Sequence, residues 1–170
     1  MARSEVIVVR DNTAQLQAAI AELTDTELLV GVPSTKAGRR DGPASNAVIA
    51  YVQDNGLPER NIPARPFLRP GIENAMNEIT TRLRDAARLA MDGSLEACRR
   101  ALHAVGLTAQ ASVRAKITDG PFTPLAESTL AQRRARGRTG TRPLIDTGQL
   151  RNSITYVLRN RRNNDNGGTS

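Results

Sequence analysis

A chain of 170 residues with 39% hydrophobic but only 2% aromatic content has material for one ordinary domain, whose core must be filled with Ala, Leu, Ile and Val. Its single cysteine, Cys98, and single histidine, His103, exclude an intrachain disulfide and a Cys/His metal cage. The net charge of +7 is carried by Arg everywhere except Lys36 and Lys116, which leaves two accounts open: the coding bias of a GC-rich genome, or guanidinium recognition of phosphate and carboxylate.

The charge is uneven. From Thr118 onward nine Arg stand against Asp119, Glu127, Asp146 and Asp165, a surplus of five that leaves two for the longer N-terminal part. So thin a core, joined to amphipathic segments, points to further apolar burial between subunits. The segment from Met1 to Arg10 lacks a positive lead into an apolar run of signal-peptide length, and no run approaches the ~20 residues that cross a bilayer. The expectation is a soluble protein, not in a membrane, assembled inside the cell.

Along the chain, Glu5-Val6-Ile7-Val8-Val9 is a β-branched run and predicts a strand. Asp11 or Asn12 then caps a helix carrying Leu16, Ala19, Ile20 and Leu23 at helical spacing. A second strand, Glu27 to Val32, is closed by Pro33. Ser34 to Ser45 is rich in Gly, Pro and charge and predicts an exposed loop. Ser45 is the expected N-cap of a helix over 46–53, with Asn55-Gly56 as its stop.

Pro58, Pro63, Pro66 and Pro70 make the next segment an extended strap, because each proline pushes the residue before it toward extended geometry. Phe67 and Leu68 would pin that strap to the body, with Arg65 and Arg69 flanking. Helical spacing then runs from Gly71 to Ile117: Ile72, Met76, Ile79, Leu83, Ala87 and Ala90, a break near Gly93, then Leu95, Cys98, Leu102, Val105, Ala109, Val113 and Ile117. Gly106 would permit close backbone approach. Asp119-Gly120-Pro121 ends this helix, and Thr123 or Pro124 would start a short one through Arg133. Thr147 or Asp146 would cap a turn through Leu150, and Ile154 to Leu158 would return as a strand beside Leu28 to Val32. The fold class is therefore α+β, a small mostly antiparallel sheet packed on two or more long helices, with a single domain over 1–158 and a flexible polar C-terminal tail over 159–170.

No catalytic or metal-binding constellation emerges, and no cofactor is expected. Cys98 and His103 are five apart on a helix and point about 140° away from each other, which excludes a dyad. Carboxylates are scattered, and Glu78 with Arg82 reads as a surface pair. Gly38 to Gly42 lacks the Lys-Ser/Thr of a phosphate loop. The densest positive segment, with Arg133, Arg134, Arg136, Arg138 and Arg142, admits three readings: contact with DNA phosphate, contact with an acidic face of a neighbouring subunit, or a solvated loop. Aromatic stacking residues for single strands and a compact helix-turn-helix are both missing. The Thr147 to Arg151 turn is explained by local folding or by Arg151 facing a partner carboxylate.

Four short motifs in one order carry a resemblance. They are Ile62-Pro63-Ala64-Arg65-Pro66-Phe67-Leu68; Leu102 to Gly106 within a helix; Ile117 through Gly120, Pro124-Leu125 and Thr129; and Pro143-Leu144 through Thr147-Gly148, Leu150 and Ser153-Ile154. Over about residues 28–158 the chain resembles the neck and tail-completion (virion morphogenesis) proteins of long-tailed bacteriophages. It departs from them in an Arg-rich rather than Lys-rich loop after Thr129, and the likeness does not extend over Glu5 to Leu23.

The resemblance implies a non-enzymatic virion subunit, assembled in the host cytoplasm, forming a ring that completes the tail or joins it to the DNA-filled capsid. It implies a homo-oligomer, hexameric by analogy with the sixfold tail tube and dodecameric as the rival, touching neck, tail-terminator or tail-tube neighbours, with genomic DNA passing through. The partner-interface candidates are Arg65, Phe67, Arg69, Arg133, Arg134, Arg136, Arg138, Arg142 and Arg151. The alternative is a basic protein gripping duplex DNA through its Arg loop without sequence preference.

Overall fold

The computed structural model describes residues 11–38 and 44–161. The expected strand at Glu5 to Val9, the centre of the loop before Ser45, and the tail beyond residue 161 lie outside the described residues. Within them the fold is α+β, with seven α-helices and one two-stranded antiparallel sheet.

Helix α1 (Thr13–Asp25) runs directly into strand β1 (Thr26–Gly31). Asp11 Oδ1 accepts from the Thr13 amide at 2.9 Å, and hydrogen bonding from the Thr13 side chain first and its amide second holds the Asp11 carboxyl below its ordinary range. Helix α2 (Asn46–Asn55) has the cap its sequence predicts: Ser45 accepts from the Val48 amide, and Gly56 ends the helix at φ 81°. The strap follows, beginning with a short 3-10 turn at Pro58–Arg60.

The long helical region divides into α3 (Leu68–Asn74), α4 (Met76–Met91) and α5 (Leu95–Asp119). The break at Gly93 is present, at φ 72°. A second interruption at Ala75 was not legible in the spacing. It turns α3 so that Gly71 lies on α5, where a Cβ would stand 2.7 Å from Val113 Cα. Here, and not at Gly106, two helical backbones meet closely. At Gly106 the close neighbour is a side chain: a Cβ would fall 2.2 Å from the Tyr156 ring.

The α5 stripe is buried as its spacing predicts, from Cys98 through Leu102, Val105, Ala109 and Val113 to Ile117. On α4 the stripe is rotated. Ile79 and Ala90 are buried with Ala75 and Ala86, whereas Met76 and Leu83 remain 45% and 40% exposed. The small residues explain the rotation, because α1 packs its buried Ala19 against Ala86, Ala90, Cys98 and Leu102, and only short side chains admit three helices so close together.

Helix α6 (Glu127–Ala135) begins later than Thr123 or Pro124. Pro121 and Pro124 lack amide donors and disfavour helix at the residues before them, and 120–126 holds neither helix nor strand. Helix α7 (Gln149–Ser153) starts from Gly148 at φ 76°, with the Thr147 hydroxyl only at the margin of hydrogen bonding, 3.5 Å from the Gln149 amide. Thr147 and Asp146 are therefore not its caps. Strand β2 (Thr155–Asn160) pairs with β1 in the expected antiparallel sense, Leu28 opposite Leu158 and Val30 opposite Tyr156, and continues two residues past the expected domain edge at 158.

Candidate interaction surface

The strap is fixed from below. Asp54 Oδ1 accepts from the amides of Phe67 and Leu68 at 2.7 and 3.0 Å, and the Phe67 ring is buried among Val113, Ile117, Leu144, Leu150 and Ile154. Arg65, 4% exposed, donates from Nε to the Thr123 carbonyl at 2.8 Å, from Nη2 to the Pro124 carbonyl at 3.0 Å and from Nη1 to Gln53. Burial, and secondarily the charge of Arg133, lowers its pKa from the ordinary arginine value. Arg65 and Phe67, two residues expected at a partner interface, are thus internal, holding the strap to the loop after α5. Arg69 is exposed and paired with Glu73 at 2.9 Å.

Arg133, also expected at a partner interface, is internal in the same way. It projects from α6 into the body, and its Nη1 donates to the carbonyls of Gly140, Arg142 and Ile145 at 2.9 to 3.0 Å. A planar cation with several donors suits a turn of converging carbonyls, a role that a single hydroxyl or amide could not fill. Its Nε lies 3.6 Å from Asp146 Oδ1, an oxygen shut off from solvent that has no hydrogen-bond partner among the described residues. Arg138 pairs with the other oxygen of Asp146, and Arg134 with Glu127. Together Arg133 and Asp146 line a cavity of about 150 Å³ with Gln53, Thr129 and Gln149.

Of the five arginines in this segment, three are therefore matched to carboxylates of the same chain. Arg136 and Arg142 are exposed. The loop itself is closed by Leu144, which holds φ 62° while its side chain enters the core with Phe67; a left-handed leucine costs about 1–3 kcal/mol and persists only where packing requires it. Arg151 Nε donates to the Thr118 hydroxyl at 3.0 Å, fastening α7 to the end of α5. Sequence reading missed Arg114, which donates from Nε and Nη2 to the Ile154 carbonyl at 3.0 and 2.7 Å and docks the start of β2. An arginine in mid-helix beside a buried stripe carries no distinctive signal for such a role.

His103 Nδ1 and the Tyr156 hydroxyl are 3.0 Å apart, with the rings edge to face. Cys98 is buried, and burial, followed by the nearby Glu22 charge, raises its thiol pKa, so it presents no ready thiolate. Among the described residues no group of three His, Cys, Asp or Glu has metal-holding geometry, and no helix is long and apolar enough to cross a membrane.

The exposed apolar side chains are the other surface feature. Val48 and Tyr51 project from α2 at 54% and 71% exposure, Leu107 from α5 at 54%, and the cross-strand pair Leu29 and Val157 from the outer sheet face at 44% and 39%. Comparison with family models, curated proteins and solved structures finds no match.

Proposed function

We propose that this chain is a structural subunit of the phage head-to-tail junction, acting as a ring of several copies that completes the tail or joins it to the filled capsid. The observation that carries the reading is where three of the four motifs meet. Phe67 of the strap, Ile117 at the end of α5, and Leu144, Leu150 and Ile154 of the closing motif lie far apart in the chain yet pack in one buried cluster. In the remaining motif, Gly106 seats the Tyr156 ring. Three of the four motifs thus contribute buried residues to one core, as a shared fold would require.

The surface supports a role in assembly more than one in DNA binding. Exposed apolar side chains on α2, α5 and the sheet give subunits something to bury against each other. Arg133 and Arg138 share the one carboxylate of Asp146 and Arg134 pairs with Glu127, so three of the five arginines of the expected phosphate-binding loop are engaged within the chain, against two carboxylates, and Arg136 and Arg142 are exposed. Non-specific duplex affinity scales with the number of phosphates neutralised, and two exposed guanidiniums supply little of it.

The test is the mass of the purified protein by light scattering, with and without a short DNA duplex. The expected result is a discrete oligomer whose mass is unchanged by duplex. A single-copy protein that binds duplex at low salt and releases it as salt rises would replace this reading with the DNA-binding one.

A further inference from the structure

Arg65 is a buried cation with no anion of its own. Its bonds to the carbonyls of Thr123 and Pro124 and to Gln53 spend three of the five N–H donors of a guanidinium, so one donor on Nη1 and one on Nη2 remain. Among the described residues no carboxylate pairs with it, and burial first and the Arg133 charge second depress its pKa with no negative group to offset them. A charge at 4% exposure without a counterion is costly, and Arg133, at 9%, avoids that cost by having Asp146 at 3.6 Å.

Arg65 lines a groove of about 410 Å³ between the strap and the start of α6, whose other polar groups are Gln53, Asn61 and Thr129 and whose aliphatic wall includes Ile62 and Leu125. Among the described residues no Asp or Glu lines it. The Gln53 carbonyl is taken by Arg65, which leaves its NH₂ as a donor. Ala126, the N-cap of α6, has no side chain with which to cap the first-turn amides, so the positive end of that helix opens at the same place. The two nearby acids are spent elsewhere: Glu127 on Arg134, and Asp146, in the adjoining cavity, on Arg133 and Arg138.

We propose that this groove docks an extended segment of a partner protein through an Asp or Glu side chain, whose carboxylate seats on the two remaining N–H groups of Arg65. Charge complementarity selects the occupant: a recess rich in donors, floored by an uncompensated guanidinium and free of carboxylates, takes an anion. Its shape selects the source. Phosphates on the convex surface of a duplex are met by side chains that protrude, and Arg65 does not protrude. A single extended chain can lower one carboxylate into the recess and lay its flanking residues on Ile62 and Leu125. The site depends on Arg65 and its groove, and it stands with or without the ring.

Titration of the full chain, followed by nitrogen-edited NMR at constant ionic strength, tests this through the Arg65 Nε–H and the side-chain amides of Gln53 and Asn61. The probe is a blocked peptide, acetyl-Ala-Pro-Glu-Ala-amide, whose only charge is its glutamate. Saturable shifts at these three groups are expected, with binding at least tenfold weaker when Gln replaces Glu in the peptide. Shifts that do not saturate, equal binding of the two peptides, or shifts confined to Arg136 and Arg142 would overturn the inference. So would inorganic phosphate saturating the site at a lower concentration than the peptide. Asn61→Asp gives a second check that leaves Arg65 in place: Asn61 is exposed at φ 54°, a conformation aspartate also tolerates, and the new carboxylate would itself occupy the groove. This variant should bind the peptide at least tenfold more weakly, whereas Asn61→Gly, equally at ease at that φ, should stay within about threefold of the native chain. Native affinity in Asn61→Asp would refute the site.

Discussion

The two halves of this molecule are held together by different chemistry. Where α1, α4 and α5 meet, the contact is made of Ala19, Ala86, Ala90, Cys98 and Leu102, small side chains that let helices approach and need no polar fastening. Where the strap meets the loops around α6 and α7, a core centred on Phe67 is framed by two buried guanidiniums, Arg65 and Arg133, donating to backbone carbonyls. Irregular backbone cannot pair its own carbonyls as a helix does, so it needs donors brought from elsewhere. In a chain of this charge, a share of the arginine is scaffold, and net charge overstates what remains for a partner.

The comparison can be broken most severely at Phe67. Replacing it with Ala should cost about 3–5 kcal/mol in urea unfolding, because a fully buried ring leaves a cavity between α5 and the closing segment from Leu144 to Ile154. Arg133→Ala should cost about 3 kcal/mol by stranding three carbonyls and Asp146, with the loss persisting in high salt, whereas a surface ion pair would be screened. The helical half should respond to excess volume instead: Ala86→Leu is expected to lose about 1–3 kcal/mol, since the site has no room to spare. Arg136→Ala should stay within about 0.5 kcal/mol, marking where scaffold ends and free surface begins.

A gentler probe is acid. Glu27 accepts from Arg159 across the sheet and lies near Arg161, and the Arg159 hydrogen bond holds its pKa below the ordinary glutamate value. Its contribution is present above the unfolded-state value and fades as pH falls through the lower folded value. A small acid-side loss of stability, removed by Glu27→Gln in a pH series of melting temperatures, is the expected result.

Elements with a periodic or local signal were legible in the sequence: the α5 stripe, the break at Gly93, the Ser45 cap, the β1–β2 pairing and the pinning of the strap by Phe67, although Phe67 was also expected at a partner interface. What escaped was set by tertiary contact. The kink at Ala75 has no glycine or proline at its centre. The rotation of α4 depends on which helix covers it, and periodicity alone cannot tell the Met76–Leu83 stripe from the Ala86–Ala90 one. The same blindness applied to the arginines. Arg65, Arg133 and Arg136 look alike in a sequence, and only the position of unpaired carbonyls separates a strut from a surface charge.

The bonds from Arg65 to the carbonyls of Thr123 and Pro124 join points 58 and 59 residues apart, on either side of the whole α3–α4–α5 run. Mechanically this is a rivet across the mouth of a long helical loop. A pull on the strap would load these bonds together instead of peeling them one after another, and force would pass straight to the far end of α5 without bending the helices between. An element gripped at residues 61–66 would therefore behave as a stiff handle.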